Sequence, residues 1–179
     1  SAFKSIWGSI TLSLPNNSVA VGQTASLSVG IVPSNSTFKD YTIVSSNTSI
    51  LKVKDKSVTG VKAGTATLTI QSDTYDSISY SLNVEVTPQP EIQDFTPQNK
   101  TLFVGEEVKL TYKKVPSYAK DPSTIEYTSL DTSIATVTNK GVVKGLKVGT
   151  TKVKIKMNGI EKTCSINVKP VEIEGDFDF

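Results

Sequence analysis

The stretch Ser45-Ser46-Asn47-Thr48-Ser49-Ile50-Leu51-Lys52-Val53 returns later in the chain as Ser129-Leu130-Asp131-Thr132-Ser133-Ile134-Ala135-Thr136-Val137. The run that follows it, from Val58-Thr59-Gly60 through Gly64-Thr65 to Ile70, returns from Val143-Lys144-Gly145 through Gly149-Thr150 to Ile155. The match extends outward. Val21-Gly22 aligns with Val104-Gly105, Val32-Pro33-Ser34 with Val115-Pro116-Ser117, and Leu82-Asn83-Val84 with Ile166-Asn167-Val168. An offset of about 84 residues held over so many segments marks one module used twice. Each copy is near the small end of what folds independently, so the duplication excludes any fold that needs the whole chain for one core.

Within a copy the apolar residues alternate. Ile10-Thr11-Leu12-Ser13-Leu14 has the period of a half-buried strand. From Ala25 to Val32, Leu27, Val29 and Ile31 point one way and Ser26, Ser28 and Gly30 the other. Further short runs at Val19–Gly22, Tyr41–Val44, Ile50–Val53, Val58–Val61, Ala66–Gln71 and Tyr80–Val86 are separated by turn residues. In the second copy Val108, Leu110 and Tyr112 face in against Lys109, Thr111 and Lys113, and Val153, Ile155 and Met157 face in against Lys152, Lys154 and Lys156. Six to eight short strands per copy, with no helical period inside the repeat, predict an all-β fold: two tandem β-sandwiches. Thr87-Pro88-Gln89-Pro90 is the linker, since two prolines in four residues cannot sit in a central strand and favour an extended connector. The expected organisation is an N-terminal arm at 1–9, domains at 10–87 and 88–171, and an acidic tail at 172–179, with the pair elongated.

The flanking segments have no counterpart in the repeat. Phe3, Ile6, Trp7 and Ile10 fall at the spacing of one helical face, although Gly8 leaves an extended arm equally open. The tail, Val171-Glu172-Ile173-Glu174-Gly175-Asp176-Phe177-Asp178-Phe179, alternates apolar with acidic residues. Such a segment can add a strand to a neighbour's exposed edge. Phe3, Ile6, Trp7, Phe177 and Phe179 are therefore the candidate docking residues.

All 19 basic residues are Lys, His is absent, and the formal net charge is +2. Arg carries most base-edge and phosphate recognition, and His most proton transfer and metal binding. Nucleic-acid reading and ordinary general acid–base catalysis thus lose their usual residues, and no nucleic-acid partner is expected. The single Cys, Cys164, cannot form an intrachain disulfide and reads as a buried structural thiol aligned with Tyr80. No apolar run is long enough to span a bilayer as a helix. The N-terminus lacks the layout of a secretory signal, and Ser1-Ala2 is also what remains when an initiator Met is trimmed. A complete unexported protein and an excised fragment are both open.

The Val-Gly, Val-Pro-Ser and Ser-Ser-Asn-Thr-Ser-Ile segments, followed by the turn with Gly60 and Gly64 or Gly145 and Gly149, resemble the bacterial immunoglobulin-like domain, group 2. The resemblance covers most of the chain in two copies and implies an Ig-like β-sandwich with no catalytic motif. A Trp usual before the Ser-Ser-Asn segment is replaced by Ile43 in one copy and Tyr127 in the other. Members of the family occur as stalk repeats of bacterial adhesins and as decoration, fibre or tail domains of phage virions, and fold alone does not choose between these.

Other chemistry is sparse. Gly60-Val61-Lys62-Ala63-Gly64 lacks the pattern of a phosphate loop. Asp55, Asp73 and Asp76 are loop carboxylates of the kind Ca²⁺ uses, with Asn158 and Glu161 in the matching loop of the second copy, but no Ca²⁺-loop pattern joins them. Asn16, Asn35, Asn47 and Asn99 stand in glycosylation sequons and read as turn residues. Lys152, Lys154 and Lys156, with Lys140, Lys144 and Lys147 nearby, could meet an anionic surface. The alternative is a solvated face whose charges oppose edge-to-edge pairing. The expectation is a non-enzymatic protein without cofactor or metal: a phage virion component docked through a terminal segment to capsid or tail proteins. The alternative is a set of stalk repeats of a bacterial surface or secreted protein that contacts a cell-surface polymer or protein. Membrane insertion is not expected, and homo-oligomerisation through assembly stays open. A carbohydrate-binding module is a third reading, with Tyr75, Tyr118 and Trp7 its few candidate aromatics.

Overall fold

The computed structural model describes residues 8–36, 40–173 and 175. The chain divides into two compact units, Ser1–Pro90 and Glu91–Phe179, called here modules 1 and 2. Apart from the short 3₁₀ turn Pro15–Asn17, the regular structure among the described residues is strand.

Module 1 contains β1 (Ser9–Ser13), β2 (Ser18–Ala20), β3 (Thr24–Ser26), β4 (Ser28–Val32), β5 (Tyr41–Ser45), β6 (Leu51–Lys54), β7 (Ser57–Gly60), β8 (Gly64–Ser72) and β9 (Ser79–Thr87). One sheet has the order β2-β9-β8-β5; the other side is built from β3-β7-β6 and the pair β1-β4. The run expected as one strand from Ala25 to Val32 is interrupted at Leu27, whose N–H is donated to the Lys56 carbonyl at 2.7 Å. Before that residue the run pairs with β7, and after it with β1. At Pro15–Asn17 the chain leaves β1 and enters the opposite sheet, where β2 pairs in parallel with β9. Asn16 and Asn17 take the left-handed conformation there, at φ 56° and 51°, which Asn tolerates better than most residues. Leu51, Val58, Leu68, Ile70 and Val84 are fully buried between the two sides. Side chains of this kind each contribute about 1.5–3 kcal/mol when removed from water.

Module 2 repeats the plan with β10 (Asp94–Pro97), β11 (Lys100–Phe103), β12 (Glu107–Lys109), β13 (Tyr112–Val115), β14 (Glu126–Ser129), β15 (Ala135–Val137), β16 (Val142–Gly145), β17 (Gly149–Met157) and β18 (Ile160–Lys169). The strand orders are β11-β18-β17-β14, β12-β16-β15 and β10-β13. Leu110 is the interrupting residue, and its N–H is donated to the Gly141 carbonyl at 2.8 Å. The peptides Val32–Pro33 and Val115–Pro116 are both cis. Phe95, Leu102, Val143, Val153, Ile155 and Ile166 form a separate core.

The ladders correct one detail of the internal alignment. Gly64 pairs with Val86, and its counterpart Gly149 pairs with Val168. Leu68 pairs with Leu82, and its counterpart Val153 with Cys164. Cys164 therefore matches Leu82 rather than Tyr80, and Ile166-Asn167-Val168 matches Val84-Glu85-Val86. A slip of two residues keeps every side chain on its face, so alternation alone cannot detect it. The cause is the hairpin. Module 2 turns tightly at Asn158-Gly159, both at positive φ as a two-residue hairpin requires, whereas module 1 spends residues 73–78 on the same connection. Cys164 is 2% exposed, which fits its role as a small core hydrophobe; Tyr80 is 38% exposed.

Candidate functional site

The terminal docking candidates, Phe3, Ile6, Trp7, Phe177 and Phe179, lie outside the described residues. The Lys row lies within them. Lys152, Lys154 and Lys156 alternate along β17 with the buried Val153, Ile155 and Met157, so all three project from the outer face of the four-stranded sheet. β17 is flanked by β18 and β14 and is not an edge strand; protection of an edge is not its task. Lys156 stands opposite Glu126 on one side and Glu161 on the other, and Lys154 reaches Glu161 at 3.6 Å. Lys152 faces the uncharged Ser165. The matching positions of module 1 carry hydrogen-bonded neutral pairs, Thr67 with Asn83 at 2.9 Å and Thr69 with Ser81 at 3.0 Å. Lys144 belongs to β16 in the other sheet, and Lys140 and Lys147 to turns. The structure thus separates these from the row.

The loop carboxylates remain dispersed. Asp73 accepts the Thr42 hydroxyl at 2.7 Å, while Asp55 occupies the β6–β7 turn. Among the described residues no three His, Cys, Asp or Glu side chains come together as a metal site would require. The Cys164 thiol is pushed up in pKa by burial, so it is held protonated inside the core and is not presented as a nucleophile.

A different constellation, not singled out from the sequence, forms at one side of module 2. Tyr112 on β13, Tyr127 on β14, Ile125, and the turn residues Asn139 and Lys140 line a shallow groove of about 320 Å³, with Lys109 of β12 at its wall. Each part has a local cause. The turn is tied by Thr138, whose Oγ1 accepts the N–H groups of Lys140 at 3.3 Å and Val142 at 3.1 Å. Gly141 closes it at φ 78°, pressed against the Tyr127 ring, where a Cβ would come within 2.7 Å of Cζ. Tyr112 is braced from below by Phe95, the rings meeting edge to face at 5.9 Å and 74°. Burial raises the pKa of both phenols, and for Tyr112 the nearby Asp121 and Tyr127 add to this. Both hydroxyls therefore stay available as donors. Asp121 is itself paired with Lys114 at 3.1 Å.

Module 1 has a groove at the same place, about 370 Å³, lined by Tyr41, Thr42, Ile43, Asp55 and Lys56. Its chemistry differs. By strand register, Ser26 stands for Lys109, Val29 for Tyr112 and Ile43 for Tyr127. The module 1 turn between the paired Val53 and Val58 consists of residues 54–57, and the module 2 turn between Val137 and Val143 of residues 138–142, one residue more. The signal was present in the sequence as a difference between aligned copies, Val29 and Ile43 in one against Tyr112 and Tyr127 in the other, with Tyr41 of module 1 standing where module 2 has Ile125. What it lacked was the turn that brings Lys140 beside those rings.

Residues 8–80 and 91–165 match the family model of the bacterial Ig-like domain (group 2). An uncharacterised protein of Clostridium acetobutylicum is 29% identical over 165 residues, a match that takes in 89% of this chain and 17% of that protein. The chain thus spans only 17% of the length of this curated relative. Among solved structures, domains 4 and 5 of the S-layer protein SbsC align with 24% identity over 77% of this chain and 81% of that one, at a TM-score of 0.40. Extracellular domains 3–5 of Drosophila OTK align with 9% identity over 86% of this chain and 61% of that one, also at 0.40. The family match runs through both modules and covers most of the chain, and the chain belongs to the bacterial Ig-like domain (group 2) family, of which it carries two copies in tandem.

Proposed function

We propose that this chain is a non-enzymatic pair of spacer and contact modules belonging to a bacterial cell-surface or secreted protein. The observation that carries this reading is that each module seals its own core beneath an outer sheet face of Thr, Ser, Asn and Lys side chains. Units of this kind can be strung in series without depending on one another for stability, as a stalk requires. The length of the clostridial relative is in keeping with such an arrangement. The partners are then proteins or polymers of the cell surface, with Lys152 the member of the Lys row best placed to meet an anionic one, because its cross-strand neighbour carries no charge.

A virion component, as capsid decoration, head fibre or tail protein, is the other reading. It rests on the terminal segments of the sequence, whose docking candidates Phe3, Ile6, Trp7, Phe177 and Phe179 lie outside the described residues. One experiment separates the two. Antibodies raised against the purified chain should label intact producing cells, and protease treatment of those cells should remove the label. Labelling only after lysis overturns the surface reading, and labelling of purified phage particles replaces it with the virion one.

A further inference from the structure

We infer that the module 2 groove between Tyr112, Tyr127 and the β15–β16 turn is a binding site for an anionic saccharide unit, whose ring lies against the two phenols and whose carboxylate or phosphate meets Lys109 and Lys140. The inference deepens the surface reading and rests on it, since a surface polymer is what would supply such a ligand.

Three observations converge. The groove walls carry two aromatic rings, whose faces suit the C–H surface of a sugar and whose hydroxyls suit its oxygens. Lys109 and Lys140, both exposed, line the same groove, and neither ammonium has a carboxylate within ion-pair distance among the described residues. Asp121, the acid that acts on Tyr112, already has Lys114 as its partner. The wall is also held in place before any ligand arrives. Thr138 ties the turn, Phe95 braces Tyr112, and Gly141 lets the Tyr127 ring close over the backbone. A preformed site loses less freedom on binding.

Module 1 supplies the contrast within one chain. The same place in the same fold carries Ser26, Val29 and Ile43, with Asp55 beside Lys56. Its groove holds one phenol, Tyr41, where module 2 has two, and the two charged residues that line it, Asp55 and Lys56, are of opposite sign. A purely structural demand of the fold would have been met by either set. The aromatic and cationic residues of module 2 occur together at one groove, as ligand recognition requires.

The test is titration of the ¹⁵N-labelled full chain with three probes of matched length: an oligogalacturonate, a glycerol-phosphate oligomer and a neutral oligoglucoside. The expected result is saturable shifts of amides around 109–112, 125–127 and 138–142, caused by one or both anionic probes. They should weaken as salt is raised and leave the module 1 groove unmoved. The double variant Lys109→Ser, Lys140→Asp alters only exposed side chains and should weaken binding at least about tenfold. Tyr112→Val, the module 1 residue, should weaken it by a similar factor while the variant's spectrum remains that of a folded module. Which anionic probe binds more tightly identifies uronate or phosphate as the source. The inference is overturned if neither anionic probe binds, if the neutral probe binds equally well, or if shifts persist unchanged in the Lys variant. Failure here leaves the cell-labelling result standing, and failure of surface labelling leaves the titration interpretable.

Discussion

Gly60 runs so close to Ala20 that a Cβ placed on it would overlap the Ala20 carbonyl oxygen, and in module 2 a Cβ on Gly145 would come within 2.9 Å of the Phe103 carbonyl oxygen. In both modules this is where β7 or β16 passes the turn that carries the chain from one sheet to the other. Gly60 donates its N–H to Gln23 and accepts that of Gly22 there. The obstruction is backbone rather than the end of a side chain, so it cannot be relieved by a rotamer change. Gly60→Ala should therefore cost module 1 about 2–3 kcal/mol or more, at the upper end of what overpacking a tight site costs. Urea unfolding followed through resolved amide signals of each module would show it, and an unchanged module 1 midpoint would contradict the assignment.

Acid should weaken module 2 before module 1. Asp131 is held below its usual 3.8 by the Ser133 hydroxyl and N–H, and Asp94 by the Phe95 N–H and then Lys162. A carboxylate whose folded pKa is depressed stabilises fully above its unfolded value near 3.8, and that contribution is lost as pH falls through the folded value. Module 1 has Asn47 and Ser9 at these positions. Unfolding midpoints measured from pH 5 down to pH 2 should diverge below about pH 4, and Asp131→Asn should narrow the gap.

Cys164 should report the opening of module 2. Its thiol is buried and shifted towards the protonated form, two reasons for slow alkylation. Iodoacetamide should label the native chain at least about a hundredfold more slowly than the urea-unfolded chain, with the ratio set by local opening. Fast native labelling would place the residue outside the core. Cys164→Ser should cost about 1–3 kcal/mol, because a hydroxyl replaces an apolar group in a closed site.

Phe95 joins the core to the groove. Among the described residues it is the largest fully buried side chain, and module 2 uses it where module 1 has Ile10. Phe95→Ala should cost about 3–5 kcal/mol, whereas Phe95→Leu should retain most stability while removing the edge-to-face support of Tyr112. The Tyr112 amide and ring signals of the Leu variant would show the loosened ring directly.

The division into two modules, the strands and their buried faces were legible because each rests on local signals: a repeated sequence, alternating apolar residues and turn residues between them. Leu68, Ile70, Val153 and Ile155 are buried as their alternation requires. The position of Cys164 was misaligned for a specific reason, since a two-residue slip preserves alternation and only hairpin length resolves it. The Lys152–Lys156 row had the right face but the wrong surroundings, because strand order is set by partners far along the chain. The groove was the least legible part. Tyr112, Tyr127 and Lys140 are far apart in sequence and belong to three elements, and nothing in their spacing brings them together. The roles of Gly60 and Gly145 were similarly hidden, for they answer to carbonyl groups some forty residues earlier.

Neighbouring copies of one fold on a single chain face a hazard during synthesis, because a strand of one can be captured by the half-formed sheet of the other. The hairpins described above act against it. A strand cut to follow the two-residue turn at Asn158-Gly159 cannot replace one that follows the longer turn of module 1 without shifting its pairing by three positions, since four residues separate the paired Lys156 and Glu161 and seven separate the matching pair Gln71 and Ser79. A shift by an odd number turns the buried Leu82 and Val84 outward and brings Ser81 and Asn83 to the core side. Unequal turn lengths thereby make each copy a poor template for the other, a proofreading device for a protein that must fold the same shape twice in succession.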